Sequence, residues 1–254
     1  MIIILSPSKT LDLSHKYLKF KKSKPYFTKE AKGLMKELVK MKAPELKKKM
    51  KLSDGLAETV EGWHKSWNSK GDSHITGASM KGEAFKAFDF LTLSKEASER
   101  ARNQMFILSG LYGALYPFDE IKPYRLEMAQ SFNPFDETKS LNGFWSKRLP
   151  TFFNEIAGQT SSQHLINLAS DEYNKVVIKP DLKLEVVNFS FKVETDKGLK
   201  NISVFAKQAR GAMARFILEE NITELEGLKK FSYQGYRYRD DLSSSLLFCF
   251  TRTR

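Results

Sequence analysis

The chain has a single cysteine, Cys249, which excludes an internal disulfide framework and a two-cysteine thiol relay. Cys249 stands in the run Leu246-Leu247-Phe248-Cys249-Phe250, a setting that predicts a buried, unreactive thiol. Histidine is also scarce. His15, His64, His74 and His164 are scattered, with no i, i+4 pair and no two-histidine-one-carboxylate spacing. This pattern gives no support to a resident metal, and no cofactor is expected. No apolar run approaches the roughly 20 residues needed to cross a bilayer. The start, MIIILSPSKT, has no basic residue before its short apolar run, so it reads as a buried strand and not a secretion signal. With one cysteine and no span, a reducing cytoplasm is the expected compartment, with no membrane partner.

What is present is enough to build a core. Hydrophobic residues make up 41% and aromatics 12% of the chain, so it is not a disordered sequence. The net charge is +12, and its placement matters more than its size. Residues 1–70 hold 17 lysines, no arginine and 7 acids, an excess of +10; the remainder carries only +2. Such concentration points either to a polyanionic partner or to a solvated lysine-rich surface.

Periodicity places the elements. Residues 2–5 read as a central strand. Thr28 to Lys42 reads as an amphipathic helix, with Ala31, Leu34, Met35, Leu38 and Met41 at helical spacing and Lys29, Lys32, Lys36 and Lys40 on the other face. Ala43-Pro44 breaks it, a short helix follows to Lys51, and Ser53 caps a third. Residues 68–80 read as a polar loop, Gly82 to Asn103 as helical, and 105–108 as a short buried strand. Phe144 to Ala157 is expected to be helical and interrupted at Pro150. Strands are expected at Leu165–Ala169, Leu184–Val193 and Ile202–Phe205, a helix at Ala206–Glu220, and a hairpin from Tyr233–Arg239 and Leu246–Thr251. Strands and helices do not alternate cleanly. The expectation is therefore an α+β mixed fold of one domain, residues 1–254, with a central sheet, surrounding helices and a lysine-rich helical subregion at 28–67.

Several segments carry candidate chemistry. Ser109 to Met128, SGLYGALYPFDEIKPYRLEM, is dense in Gly and Pro and reads as a rigid, specified loop. Within it Arg125 and Glu127 suit an ion pair. Ser6-Pro7-Ser8-Lys9-Thr10 follows a strand and suits either a phosphate contact or a strand cap. It lacks the glycines of a P-loop, and its Ser-x-x-Lys spacing lacks the companion motifs of a serine-lysine hydrolase. Asp171-Glu172 is a possible acid pair. Lys207 and Arg210, three apart, share a helix face, with Arg215 offset by about a quarter turn. Cations near the start of that helix oppose its dipole, which implies another use for them. Tyr236, Arg237, Tyr238 and Arg239 alternate, which suits either nucleic-acid stacking or a tyrosine face in the core. Helix 28–42, the break at 41–46 and the lysines at 47, 48, 49 and 51 have the layout of a helix-hairpin-helix, without its usual Gly-x-Gly turn.

Ser109 to Met128 and Ser6 to Thr10, together with Phe144-Trp145, Ile166-Asn167-Leu168-Ala169-Ser170-Asp171-Glu172-Tyr173, Ala209-Arg210-Gly211 with Met213, Arg215 and Phe216, and Gly235-Tyr236, occur in the order found in the YaaA family of bacterial peroxide-stress proteins, which the chain resembles over essentially its whole length, the N-terminal helical third in general character only. The resemblance implies a cytoplasmic protein that binds DNA through a basic cleft and a helix-hairpin-helix, limits damage during hydrogen peroxide stress and keeps free iron low. Carried onto this sequence, it implies a non-enzymatic, largely sequence-independent binder of double-stranded or distorted DNA, with a monomer favoured. The expected DNA contacts are Lys9, Lys40, Lys42, Lys47, Lys48, Arg125, Lys147, Lys207, Arg210 and Arg215. The alternative is an enzyme acting on a phosphorylated or nucleic-acid substrate, with Ser6, Lys9, Arg125, Glu127, Asp171 and Glu172 converging in one pocket. Direct iron sequestration would require clustered ligands and is the weakest reading.

Overall fold

The first strand decides the layering. All four side chains of Ile2–Leu5 are buried, which requires cover on both faces and marks it as central. The computed structural model describes residues 1–14, 20–71, 73–130, 132 and 140–253; His15 lies outside them. In chain order the strands are β1 Ile2–Leu5, β2 Thr10–Leu11, β3 His74–Ile75, β4 Met80–Lys81, β5 Met105–Ser109, β6 Gly113–Leu115, β7 Glu120–Ile121, β8 His164–Leu168, β9 Glu185–Thr195, β10 Gly198–Lys200, β11 Arg237–Tyr238 and β12 Leu247–Thr253. The main sheet runs β11-β12-β9-β8-β1-β5-β6, with β10 paired to β9. Its five inner strands, β12, β9, β8, β1 and β5, are parallel, and antiparallel strands edge it. This is the mixed α+β architecture expected from the sequence.

The connection order has a consequence for the site. From β1 the chain crosses to β5 on one side, and later returns to place β8 on the other side, with β9 beyond it. Strand order therefore reverses between β1 and β8. In open sheets with parallel strands, the crevice outside the carboxyl ends at such a reversal is where ligands bind.

The helices follow their apolar spacing. In α1, Thr28–Leu38, the buried residues are Ala31, Leu34, Met35 and Leu38, one helical stripe. α1 stops at Leu38, short of the expected Lys42, and Pro44 sits in the first turn of α2, Ala43–Met50, where its missing N–H costs nothing, so it begins that helix without ending the previous one. The Ser53 side chain accepts from Leu56 N and caps α3, Asp54–Ser66. The helix that packs closely on α2 is α3, whereas the sequence pointed to a pairing of α1 with α2.

Some expectations are revised. Residues 74–81 are not an exposed loop: β3, the short α4, Thr76–Ser79, and β4 are almost wholly buried, because β3 pairs with β7 and β4 with β2. The helical stretch 82–103 is split into α5, Glu83–Phe88, and α6, Lys95–Gln104, by Asp89 at φ 47° and by a Ser94 cap. Similarly α7, Leu141–Ser146, and α8, Leu149–Thr160, are separate, with Pro150 in the first turn of α8. Residues 203–205 are not a strand but open α10, Ser203–Glu219, whose β-branched start is outweighed by packing on the sheet. The C-terminal hairpin forms as expected, with Tyr238 opposite Phe250. There Tyr236 is buried and Arg239 pairs with Glu194 and Asp241, so the tyrosine face belongs to the core.

Helix α10 lies against β1, β8 and β9 and packs on α5. The approach is close enough that a Cβ at Gly211 would stand 1.8 Å from the Ala84 carbonyl oxygen. We expect Gly211→Ala to force α10 and α5 apart and to cost about 1–3 kcal/mol, as overpacking does. Urea unfolding of the two proteins measures this; an unchanged midpoint would contradict it.

Candidate functional site

Three adjacent parallel strands end at one edge, and each delivers a distinctive segment there. β1 ends in Ser6-Pro7-Ser8-Lys9-Thr10, β8 in Ala169-Ser170 and α9, Asp171–Asn174, and β5 in the Gly- and Pro-rich loop. Ser6 ties the first two together. The Ser6 hydroxyl donates to Ser170 Oγ at 3.1 Å and accepts from Ser170 N at 2.8 Å. Between them opens a cavity of about 380 Å³, lined among others by Ser6, Ser8, Lys9, Thr10, Lys81, Ser170, Glu172, Tyr173, Lys207 and Arg210. A smaller hollow, lined by Pro7, Lys9, Tyr124, Arg125, Glu127 and Tyr173, adjoins it.

The β5 loop builds the adjoining wall. Ser109 Oγ lies 2.6 Å from the Tyr124 hydroxyl and accepts from Leu111 N and Tyr112 N. Trp145 Nε1 donates to the Gly110 carbonyl at 2.8 Å, and a Cβ at Gly110 would meet the Leu126 oxygen at 2.3 Å. Gly113 takes φ 69°, where a side chain would be strained. Asp119 is fully buried and accepts from Ser23 Oγ and Tyr116 N; burial raises its pKa above the ordinary carboxylate value. These bonds fix the backbone that carries Arg125 and Glu127.

Glu127 then gathers two cations. Its carboxylate lies 2.7 Å from Lys9 Nζ and 2.8 Å from Arg125 Nη2, while Arg125 Nη1 donates to the Lys9 carbonyl. Lys81 has Asp12 at 3.8 Å. The two cations contributed by α10 are different. Arg210 is partly buried and makes no hydrogen bond or ion pair with the described residues. Burial lowers its pKa below the ordinary guanidinium value, and Asp171, acting at longer range, offsets part of this. Lys207 is exposed at the same cavity, near enough to Glu83 to act on it electrostatically, but no acid is within bonding distance among the described residues. A guanidinium stays charged in any protein setting, so the cleft holds a fixed positive charge.

A profile of the family described as "Peroxide stress protein YaaA" matches residues 1–242. The chain belongs to this family. A UPF0246 protein from Clostridium perfringens (strain 13 / Type A) is 37% identical over 254 residues, covering 99% of this chain and 100% of the relative. A UPF0246 protein from Francisella tularensis subsp. holarctica (strain OSU18) is 35% identical over 256 residues, with the same coverage.

For this YaaA-family chain, the expected contact residues fall into three groups. Lys9, Lys207 and Arg210 line the cleft, with Arg125 beside it. Arg215 stands elsewhere: its guanidinium donates to the carbonyls of Phe88, Asp89 and Thr92, to Thr92 Oγ1 and to Glu219, binding α10 to the end of α5. Lys147, at the end of α7, is exposed. Within the lysine-rich helices the cations are interleaved with acids: Lys40 pairs with Glu37, Lys42 with Glu61 and Lys47 with Asp54, while Lys48 is exposed. Of the six residues of the enzymatic alternative, Ser6, Lys9 and Glu172 line the cleft and Arg125 and Glu127 line the adjoining hollow, while Asp171 lines neither. Ser6 and Lys9, however, are engaged by Ser170 and Glu127 and not by each other. Among the described residues no cluster of three or more His, Cys, Asp or Glu could hold a metal, and no helix is long and apolar enough to cross a membrane. Sequence reasoning missed Lys81 and Phe85, because they follow a segment that reads as a loop and carry no pattern of their own.

His64 supports the same wall from beneath. It is 1% exposed, and its Nε2 accepts from Arg125 N at 3.5 Å. Desolvation lowers its pKa to about 4, so it is neutral at physiological pH. The unfolded chain, with an ordinary histidine pKa near 6.5, binds the proton that the folded chain refuses. Stability from this group is complete above about 6.5 and is lost as pH falls toward about 4, by an amount on the order of 3 kcal/mol. Denaturant titrations across that range should show the loss in the wild type and a smaller one in His64→Gln; identical pH profiles would contradict it.

Proposed function

We propose that this chain is a cytoplasmic DNA-binding protein of the peroxide-stress response, holding double-stranded or distorted DNA by its backbone in the cleft between the ends of β1 and β8 and thereby limiting peroxide- and iron-dependent damage. The observation that carries this reading is the pair Lys207 and Arg210, one helical turn apart, facing a cavity with no acid bonded to either among the described residues. An unpaired, partly buried cation costs free energy unless a ligand supplies the opposite charge. A phosphate does so, and Thr10 and Lys81, which line the same cavity, provide further donors.

Backbone phosphates carry no sequence information, so binding through this cleft is sequence-independent. The net charge of +12 adds attraction from a distance. Lys40, Lys42, Lys47 and Lys49, in and between α1 and α2, already have an acidic partner and contribute to that field more than to specific grip. What favours binding over turnover is the engagement of Ser6 and Lys9, the pair suited to nucleophilic chemistry, by other partners.

Removal of both α10 cations in Lys207→Ala/Arg210→Ala should weaken binding to linear, bent and branched duplexes alike. Each cation removed is expected to lower affinity about tenfold or more. The slope of log affinity against log salt should flatten by about 2. Fluorescence anisotropy at several salt concentrations measures both. Unchanged affinity and slope would remove these residues, and this reading of the cleft, from the account.

A further inference from the structure

The cleft is more than a groove for a phosphate chain. Phosphates call for cations and water and gain nothing from hydrocarbon walls. Yet the cavity that holds Arg210 and Lys207 is also walled by Pro7 and Ala84, which keep apolar surface open to it, with Phe85 behind them, and its volume of about 380 Å³ is that of a small-molecule site. Two carboxylates, Glu83 and Glu172, line the same space. Glu172 accepts from Ala129 N, and Glu83 from Gln208 and Lys86; each keeps further acceptor capacity. Carboxylates would repel a second phosphate. They suit the N–H edge of a nucleobase, as an acidic side chain accepts from the cytosine amino group.

A ligand that matches all three features is anionic at one end and, at the other, flat, largely apolar and edged with N–H donors. We propose that the cleft takes one nucleotide, its phosphate on Arg210 and Lys207 and its base against Pro7, Ala84 and Phe85. Two sources share this chemistry: an unpaired nucleotide turned out of a duplex, or a free mononucleotide. The first rests on the DNA-binding reading; the second does not. Turning out a base costs stacking energy, least where the base is already unpaired, so the pocket would give preference for distorted DNA without reading sequence.

The test uses the wild-type chain and two ligand series. Anisotropy compares a perfect duplex, the same duplex with a one-nucleotide bulge, and the same bulge with an abasic residue. The bulge should bind about tenfold tighter than the other two. Calorimetry compares deoxyadenosine monophosphate with deoxyribose 5-phosphate and inorganic phosphate, and the nucleotide should bind at least tenfold tighter than either. Equal affinity for the three duplexes, together with equal affinity for the three small anions, would overturn the nucleotide pocket while leaving DNA binding intact. Absence of all duplex binding with retained nucleotide preference would instead refute the DNA reading and assign the pocket to free nucleotides.

Discussion

A partly buried cation with no bonded counter-charge, Arg210, is the constraint on which the proposed function depends. Arg210 lies on a helix packed against the centre of the sheet, partly buried, with Asp171 acting on it only at a distance. The handful of polar groups around it could have been arranged to neutralise it, and Glu127 shows that the chain does this elsewhere, holding both Lys9 and Arg125. Leaving Arg210 open is costly in the free protein, and under the proposed function a bound anion would recover that cost. Preorganisation of this kind converts stability into affinity, because the cation need not be gathered or desolvated at the moment of binding.

The architecture makes the open cation possible. Parallel pairing of β1 with both β5 and β8 brings three carboxyl ends into line, and the chain uses each end to supply one wall. The serine pair Ser6 and Ser170 fixes two of these ends to each other, and the Trp145 and Tyr124 bonds fix the third. Helix α10 can approach close enough to complete the cleft only because Gly211 carries no side chain against Ala84. The strand ends and the helix that frame the cleft are thus held by hydrogen bonding or by close packing. A concave site with a fixed charge suits recognition of a single phosphate.

Much of this is legible in the sequence, for identifiable reasons. The apolar runs at 2–5, 105–108 and 165–169 read as buried strands because central parallel strands are apolar throughout, and each is followed at once by an unusual polar segment. Lys207 and Arg210 can be paired from helical spacing alone. Arg215, close to them in sequence, cannot be separated from them that way, since its carbonyl partners lie more than a hundred residues away. The short buried pieces at 74–81 are invisible because their sequence is polar and their burial comes from long-range pairing with β2 and β7. The start of α10 misleads for the opposite reason: its local residues favour a strand, and tertiary packing overrides them. The lysine-rich helices look like the main grip on an anion, but their acids, spaced three, four or more residues away, cancel much of the local field.

The most direct measurement is a crystal structure of the chain with a short duplex carrying a one-nucleotide bulge. The account predicts a phosphate within hydrogen-bonding distance of the Arg210 guanidinium, between the ends of β1 and β8. DNA seated on the lysine face of α1 and α2, with nothing near Arg210, would contradict it.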